Sequence, residues 1–166
     1  MFDIVQWAIG KDRSGPVEII PEGYSYYEHL TFKYDNGIIV SEEPLQTRGQ
    51  GVEIYGDDGW IRVSRGRFSA SDKRLEMTGP ITDGNITYYA NDKHYRAFID
   101  AVKSRIDPNT PVEVGHSSCT MCILGNIAME LGRPVVWNPI VEKFMHDPEA
   151  TKLLHYQYRS GYSLDV

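Results

Sequence analysis

The hydrophobic positions follow a helical period near both ends of the chain and a strand period in between. Residues 1–9 place Phe2, Val5 and Ile9 on one face, which predicts an amphipathic helix. From residue 17 onwards apolar and polar side chains alternate, and Asn36-Gly37 predicts a hairpin turn. The predicted strands are residues 17–20, 30–35, 38–40, 52–55 and 60–64, with one more short strand at Phe68. One apolar face on each strand indicates an antiparallel sheet with helices on one side.

The second half is predicted to contain two longer helices. The first follows a cap at Asn91 or Asp92 and has a single apolar stripe, formed by Tyr95, Phe98, Ile99, Val102 and Ile106. The second covers residues 117–131, begins at a cap on Ser117 or Ser118 and ends at Gly132. Because it is apolar nearly all round, we predict a central helix that is buried on more than one side.

The remaining C-terminal residues predict a short strand and a tail. Residues 135–137 have strand character. Residues 140–166 read as an extended tail with one short helix, for which Asp147 is the cap and Pro148 the first residue. The helix at residues 1–9 has no capping residue and no preceding turn. This abrupt start fits either an excised piece of a longer chain or an ordinary frayed N-terminus.

Composition and charge exclude several classes of protein. The 166 residues are 41% hydrophobic and 24% charged, which is typical of one soluble globular domain. The net charge of −6 argues against a general nucleic-acid surface, and no apolar run is long enough to cross a membrane. No signal peptide is visible, so we expect a cytoplasmic protein, or a periplasmic one if a longer chain carries an export signal.

Few residues form a recognisable chemical site. His116, Cys119 and Cys122 are spaced by three, but they do not match the paired cysteines of a structural zinc site, so we predict no metal and place both cysteines in the core. His116 directly precedes the predicted central helix, where it can either face a ligand or close the cap. Asp57 and Asp58 are explained by a turn without catalysis.

Two surface groups leave alternatives open. A local basic patch, which we interpret as a solvated or interface face, consists of Arg62, Arg65, Arg67, Lys73 and Arg74. Tyr24, Tyr26 and Tyr27 can stack on a sugar or pack on a neighbouring chain. Motifs for dinucleotide binding, for a phosphate-binding loop, for a zinc peptidase and for a serine hydrolase are all missing. The residues alone therefore predict an α+β domain without a self-contained catalytic set.

Four runs of the sequence resemble the C-terminal half of the Gfo/Idh/MocA family of oxidoreductases. They are FDIVQWAIGKDRSGPVEI at residues 2–19, GVEIYGDDGWIRVSRGRFSAS at 51–71, HYRAFIDAVKSR at 94–105 with PVEVGHSSCTMCILGNIAMELGRPVVWNP at 111–139, and DPEATKLLHYQYRSGYSL at 147–164. The resemblance implies an open, mostly antiparallel sheet with helices on one face, like the C-terminal domain of dihydrodipicolinate reductase. It also implies one substrate and oligomerisation domain over residues 1–166.

The same resemblance implies the function. Family members carry an N-terminal Rossmann domain that holds NAD or NADP and a lysine for proton transfer. A D-x-G-x-H segment precedes their F-D-x-x-x-W-like run, which Phe2, Asp3 and Trp7 match here. The chain begins just after the position of that histidine. The nucleotide domain, the lysine and the histidine are therefore expected to be absent, and this chain alone is expected to bind no cofactor and to be inactive.

We predict the substrate-side domain of a sugar or polyol dehydrogenase. Asp3 is the best-matched substrate-binding residue and His116 a second one. The expected partners are further copies of the chain, joined through the open sheet face as a dimer or tetramer, the missing Rossmann domain, and a carbohydrate. The alternative is a free-standing carbohydrate- or protein-binding assembly module without catalytic activity.

Overall fold

The computed structural model describes residues 1–44, 50–76, 94–108, 110–156 and 158–163, so the predicted caps Asn91 and Asp92 lie outside it. The helices are α1 (Phe2–Ala8), α2 (His94–Ser104), α3 (Val112–Leu131) and α4 (Pro148–Lys152), with a 3₁₀ turn at Lys73–Leu75. The strands are β1 (Glu18–Ile20), β2 (Thr31–Lys33), β3 (Ile39–Ser41), β4 (Gly51–Gly56), β5 (Gly59–Ser64), β6 (Arg67–Ala70), β7 (Val135–Asn138) and β8 (Lys143–Phe144). Among the described helices, none has the length and apolar character needed to cross a bilayer.

The described strands pair antiparallel in two open sheets. The larger sheet has five strands in the order β3-β2-β1-β7-β8, and the smaller sheet has the order β4-β5-β6. In the larger sheet, Ile19 lies opposite both Phe32 and Val135. These three buried side chains share the core with residues of α3. The predicted α+β fold with open, mostly antiparallel sheets is confirmed.

Helix α3 packs one face on the larger sheet. Its fully buried residues Met121, Leu124 and Ala128 recur at helical spacing and meet the strand side chains in the core. Gly125 lies on the same face, where an added Cβ would come within 3.0 Å of a Leu30 methyl carbon and 3.2 Å of the Phe32 ring. A glycine at this position therefore allows the helix and β2 to approach closely.

The structure corrects three predictions about this helix. Helix α3 begins at Val112 rather than at residue 117, and its N-cap Pro111 offers no side-chain hydrogen bond. Ser117 is not a cap, since its hydroxyl donates to the Glu113 carbonyl at 2.9 Å within the helix. Cys119 and Cys122 are exposed, so placing them in the core was wrong. The reason is that only one face of α3 is covered in the described structure. Ending the helix at a left-handed Gly132 is confirmed, with φ 61°.

A buried polar network fastens α1 to the sheet. Gln6 is fully buried, and its amide oxygen accepts a hydrogen bond from the Tyr34 hydroxyl at 2.8 Å. Its amide nitrogen donates to the Ser14 carbonyl at 3.1 Å. The Tyr34 hydroxyl also lies 3.4 Å from the Met121 sulfur, and burial raises the pKa of Tyr34. This network connects α1, the loop after it, the residue that follows β2, and α3.

Helix α4 lies in the segment predicted as a tail and is anchored to the core. The Asp147 carboxylate caps it by accepting the Ala150 amide hydrogen bond at 3.0 Å, as the sequence predicts. Arg133, just after α3, donates to Asp147 at 2.6 Å and to Glu149 at 2.9 Å. The Arg133 guanidinium lowers the pKa of Asp147 to about 2. Ala150 is fully buried, which joins α4 to the central cluster.

Helix α2 has the predicted amphipathic pattern but does not bury it. The residues of its apolar stripe are exposed by 45% to 86%, namely Tyr95, Phe98, Ile99 and Val102, and Ile106 beyond the helix end is exposed by 72%. On the polar side Arg96 and Asp100 form an i,i+4 ion pair. The stripe is thus an apolar surface facing solvent.

We expect that replacing Gln6 by Ala lowers the free energy of unfolding by about 2 kcal/mol, because the Tyr34 hydroxyl and the Ser14 carbonyl lose their buried partner. Urea unfolding followed by circular dichroism measures this. The double variant Gln6→Met with Tyr34→Phe serves as the control. It should lose less than the sum of its single variants, since both hydrogen-bonding groups are removed together. Strict additivity would contradict the network.

Candidate functional site

The outer face of α1 presents an exposed carboxylate beside an exposed indole. Asp3 and Trp7 are four residues apart and therefore share one face of the helix. Asp3 is exposed, and 61% of the Trp7 side-chain surface is open to solvent. On the inner side Phe2 packs edge-to-face on Phe32, with the ring centroids 5.4 Å apart. The inward contacts therefore orient Asp3 and Trp7 outward.

A second carboxyl group lies close to the first. Asp12 is partly buried, and its Oδ1 atom has no hydrogen-bond partner among the described residues. The pKa of Asp12 is raised, first by burial and then by the negative charge of Asp3, while Arg13 acts in the opposite direction. Lys11 donates to Asp35 at 2.6 Å and so fixes the loop that carries Asp12. The loop and α1 thus hold two carboxyl groups of unequal environment near enough for the charge of Asp3 to act on Asp12.

His116 lies in a different setting from the predicted one. It is in the second turn of α3 rather than in front of the helix, because the helix begins at Val112. Its Nε2 atom is 2.6 Å from the Glu142 carboxylate in the β7–β8 turn, and both side chains are about half exposed. Among the described residues, no hydrogen bond or ion pair joins His116 to Asp3.

The cysteines lie on the uncovered side of α3. The Cys122 thiol is 3.4 Å from the Ser118 carbonyl, and its pKa is raised, first by partial burial and then by Cys119. The positive amino group of Met1 acts on the same thiol in the opposite direction. Within the described ranges, no three His, Cys, Asp or Glu side chains lie close enough together to hold a metal ion.

An apolar cavity of about 610 Å³ lies between the two sheets, on the inner side of α1. Helix α1 contributes Phe2, Val5 and Ile9, while β3 and β4 supply the opposite walls. Glu42 and Glu43 stand at its edge and are exposed. The cavity therefore combines apolar walls with an acidic rim. We name it the α1–β4 groove.

The two surface groups noted in the sequence are largely occupied by internal contacts. Tyr26 and Tyr27 stack with ring centroids 4.4 Å apart, and Lys33 lies over the Tyr27 ring while pairing with Glu18 at 2.9 Å. In the basic patch, Arg62 pairs with Glu53 and Arg74 pairs with Asp72. Arg65 and Arg67 are exposed at the β5–β6 turn.

The sequence predicted Asp3 as a site residue but missed Asp12 and Gln6. Asp12 falls in a stretch that reads only as a polar loop between α1 and β1. No local signal marked it, because the structure alone shows that the loop leads into the buried residues Gly15 and Pro16. Gln6 offered no such signal, since its burial depends on Tyr34 from a distant strand.

We expect Asp3→Asn to lower the pKa of Asp12 without returning it to the ordinary value, because burial, the larger cause, persists. Carboxyl-carbon NMR titration measures this, with the exposed turn variant Asp57→Asn as a control that leaves Asp12 unchanged. A carboxyl whose folded pKa is raised favours folding below its unfolded pKa, and that contribution is lost as the pH rises through the folded pKa. An Asp12 pKa that does not respond to Asp3→Asn would contradict the pairing.

The comparison with known families agrees with this architecture. Residues 1–164 match the Gfo/Idh/MocA family model described as the oxidoreductase family, C-terminal alpha/beta domain. No curated protein and no solved structure is similar enough to the chain to supply a closer relative. The match covers nearly all 166 residues, including both sheets, α1 and α3. The chain belongs to the Gfo/Idh/MocA oxidoreductase family and corresponds to its C-terminal alpha/beta domain.

Proposed function

We propose that this chain is the substrate-side and oligomerisation domain of an NAD(P)-dependent oxidoreductase that acts on a sugar, a polyol or a related carbohydrate. The observation that carries the proposal is the outer face of α1, where Asp3 and Trp7 face solvent beside the partly buried Asp12. Membership of an oxidoreductase family supplies the reaction class.

The chemistry of this face suits a polyhydroxylated substrate. An ionised carboxylate such as Asp3 accepts hydrogen bonds from hydroxyl groups, and bonds to charged acceptors are the stronger ones. The Trp7 indole offers a flat apolar surface for the C–H face of a sugar ring. Asp12 adds a second carboxyl group, whose Oδ1 atom has no hydrogen-bond partner among the described residues and is therefore open to a substrate hydroxyl. The face of α1 and the loop after it thus present two carboxyl groups and an aromatic platform.

The residues of this chain do not fit the dinucleotide itself. Dinucleotide sites use a glycine-rich turn between a parallel strand and a helix, whose N-terminus holds the pyrophosphate. Every described strand pair is antiparallel, and no described strand leads through such a turn into a helix. We therefore assign NAD or NADP to a Rossmann domain outside these 166 residues, and substrate positioning to this chain. His116 is paired with Glu142 and is not needed for substrate positioning in this proposal.

The outer face of the larger sheet supports self-association. The row across β3, β2, β1 and β7 reads Ile39, Lys33, Glu18 and Val136. Ile39 and Val136 are 62% and 49% exposed, on either side of the Lys33–Glu18 ion pair. A patch with an apolar residue at each end and opposite charges between them can pair with a second copy about a two-fold axis.

We expect the purified chain to bind neither NADH nor NADPH and to oxidise no polyol, because it has no dinucleotide unit. Fluorescence titration and a nicotinamide absorbance assay test this. Added hexoses and polyols should shift the Trp7 indole NMR signal, and Asp3→Asn should weaken that binding about tenfold through loss of a charged acceptor. The Asp57→Asn variant is the matched control. Tight nicotinamide binding or turnover by the chain alone would refute the proposal.

We expect Val136→Glu and Ile39→Glu to convert an oligomer into a monomer, since each buries a carboxylate at the proposed contact. Analytical ultracentrifugation measures the mass. Ile123→Glu is the control, because this exposed residue lies on α3, away from the outer sheet face. If all three variants keep the mass of the original chain, the outer sheet face is excluded as the contact between copies. Self-association without any carbohydrate binding would instead favour the assembly-module alternative.

A further inference from the structure

The uncovered side of α3 carries a pair of thiols. Cys119 and Cys122 are the two cysteines of the chain, and both are free and exposed. They are spaced by three residues within a regular 20-residue helix. Side chains at this spacing lie on adjacent turns, with Cβ atoms about 5 to 6 Å apart. Metal–sulfur bonds are about 2.3 Å long, so one ion can bridge the two sulfur atoms.

The Cys122 side chain points back toward the turn that carries Cys119. Its thiol donates to the carbonyl of Ser118, the residue directly before Cys119, at 3.4 Å. This is the direction in which helical side chains generally lean. The pKa of Cys122 is raised, first by partial burial and then by Cys119. The two thiols therefore lie close enough to interact.

The setting of this pair differs from that of a redox-active pair. Reactive thiols sit at a helix N-terminus or beside a cation, where their pKa is lowered and the thiolate is available. Cys119 is the eighth residue of α3, well past the first turn, and the raised pKa of Cys122 favours its protonated form. A bound metal ion overcomes this preference, because coordination deprotonates a thiol outright. The pair thus suits metal binding better than thiol–disulfide exchange.

A buried hydroxyl without a partner lies beside the thiols. The Ser118 Oγ atom is buried and has no hydrogen-bond partner among the described residues. Buried polar atoms of this kind are rare in folded proteins. Ser118 and Cys122 are four residues apart and share one face of the helix. The hydroxyl is therefore available as a donor to a thiolate at Cys122, and bonds to charged acceptors are the stronger ones.

We propose that Cys119 and Cys122 form a two-thiolate site for a soft monovalent cation of the copper group, Cu(I) or Ag(I). Thiolates select soft ions over the hard cations that carboxylates bind. Binding replaces two S–H bonds by two metal–sulfur bonds and releases two protons, with no change in oxidation state. Ser118 acts as a positioning residue that donates to the Cys122 sulfur. This inference is independent of the oxidoreductase role.

The surroundings of the thiols favour such an ion over zinc. Structural zinc sites need four ligands in a tetrahedron. Within the described ranges, no third His, Cys, Asp or Glu side chain joins the two cysteines in a metal-binding group. His116, one turn earlier on α3, is held by Glu142 with its Nε2 atom 2.6 Å from the carboxylate. Two thiolates alone satisfy a monovalent copper-group ion, which accepts two ligands in a line.

Titration with Cu(I) tests the proposal in the full 166-residue chain. The reduced protein is mixed without oxygen with the Cu(I) complex of bathocuproine disulfonate, and the loss of colour measures transfer of the ion. The chain should take up one ion per molecule. Cys119→Ser and Cys122→Ser should each lower the affinity at least about a hundredfold, because a second linked ligand strengthens binding by roughly two to four orders of magnitude.

Two matched variants keep both thiols and change only their spacing. Cys122→Ser with Ile123→Cys places the pair four residues apart, again on adjacent turns, and should restore most of the affinity. Cys122→Ser with Asn126→Cys places the pair about 10 Å apart along the helix axis and should bind as weakly as the single variants. Ile123 and Asn126 are both exposed, so both variants should fold. Equal affinities of these two variants would overturn the proposal.

Ser118→Ala separates positioning from stability. It should weaken Cu(I) binding about tenfold, as the loss of an outer hydrogen bond to a metal ligand does. The unfolding temperature of the metal-free chain should not fall, because the hydroxyl that is removed has no partner among the described residues. His116→Gln is the control and should leave the affinity unchanged.

Three further outcomes would overturn the proposal. The first is that the original chain takes no Cu(I) from the chelator. The second is one ion shared between two chains in native mass spectrometry. The third is a loss of affinity in His116→Gln, which would replace the two-thiolate site by one with a third ligand.

Discussion

The close approach of α3 to β2 is the constraint on which the rest of the structure depends. At Gly125 an added Cβ would lie 3.0 Å from a Leu30 methyl carbon and 3.2 Å from the Phe32 ring, so these side chains would have to shift by a few tenths of an ångström. This contact lets Met121, Leu124 and Ala128 reach the sheet and close the core. A side chain larger than a methyl group at position 125 would press on Leu30 and Phe32, since interiors are packed too densely to absorb much extra volume.

Helix α1 takes its position from that core. Phe2 packs against the Phe32 ring that also contacts Gly125, and Gln6 bonds to Tyr34, whose hydroxyl reaches Met121. With the inner side fixed by an aromatic contact and a buried hydrogen bond, the outer side is fixed as well. Asp3 and Trp7 therefore face solvent as a consequence of how the opposite face packs. The packing of the core therefore sets the geometry of the candidate site, although Asp3 and Trp7 point away from the core.

The two carboxyl groups of that site differ in their electrostatic environment. Asp3 is exposed, whereas burial and the neighbouring charge raise the pKa of Asp12. Elsewhere charged groups meet partners at the surface, as Arg133 does with Asp147 and Glu149. Such pairs order the chain locally. The Oδ1 atom of Asp12 differs from these paired groups, because it is a buried acceptor without a donor among the described residues. Such acceptors are costly and rare.

The sequence by itself determined the features that depend on near neighbours. Alternation and turn residues predicted the hairpins, Gly132 the end of α3, Asp147 the cap of α4, and the spacing of Asp3 and Trp7 their common face. Only the tertiary structure decided which face of α3 is buried, because both faces are similarly apolar and local pattern cannot choose between them. It likewise exposed the cysteines, paired His116 with Glu142, buried Gln6 and partly buried Asp12. Each of these outcomes depends on residues far apart in the chain, whose meeting no local period encodes.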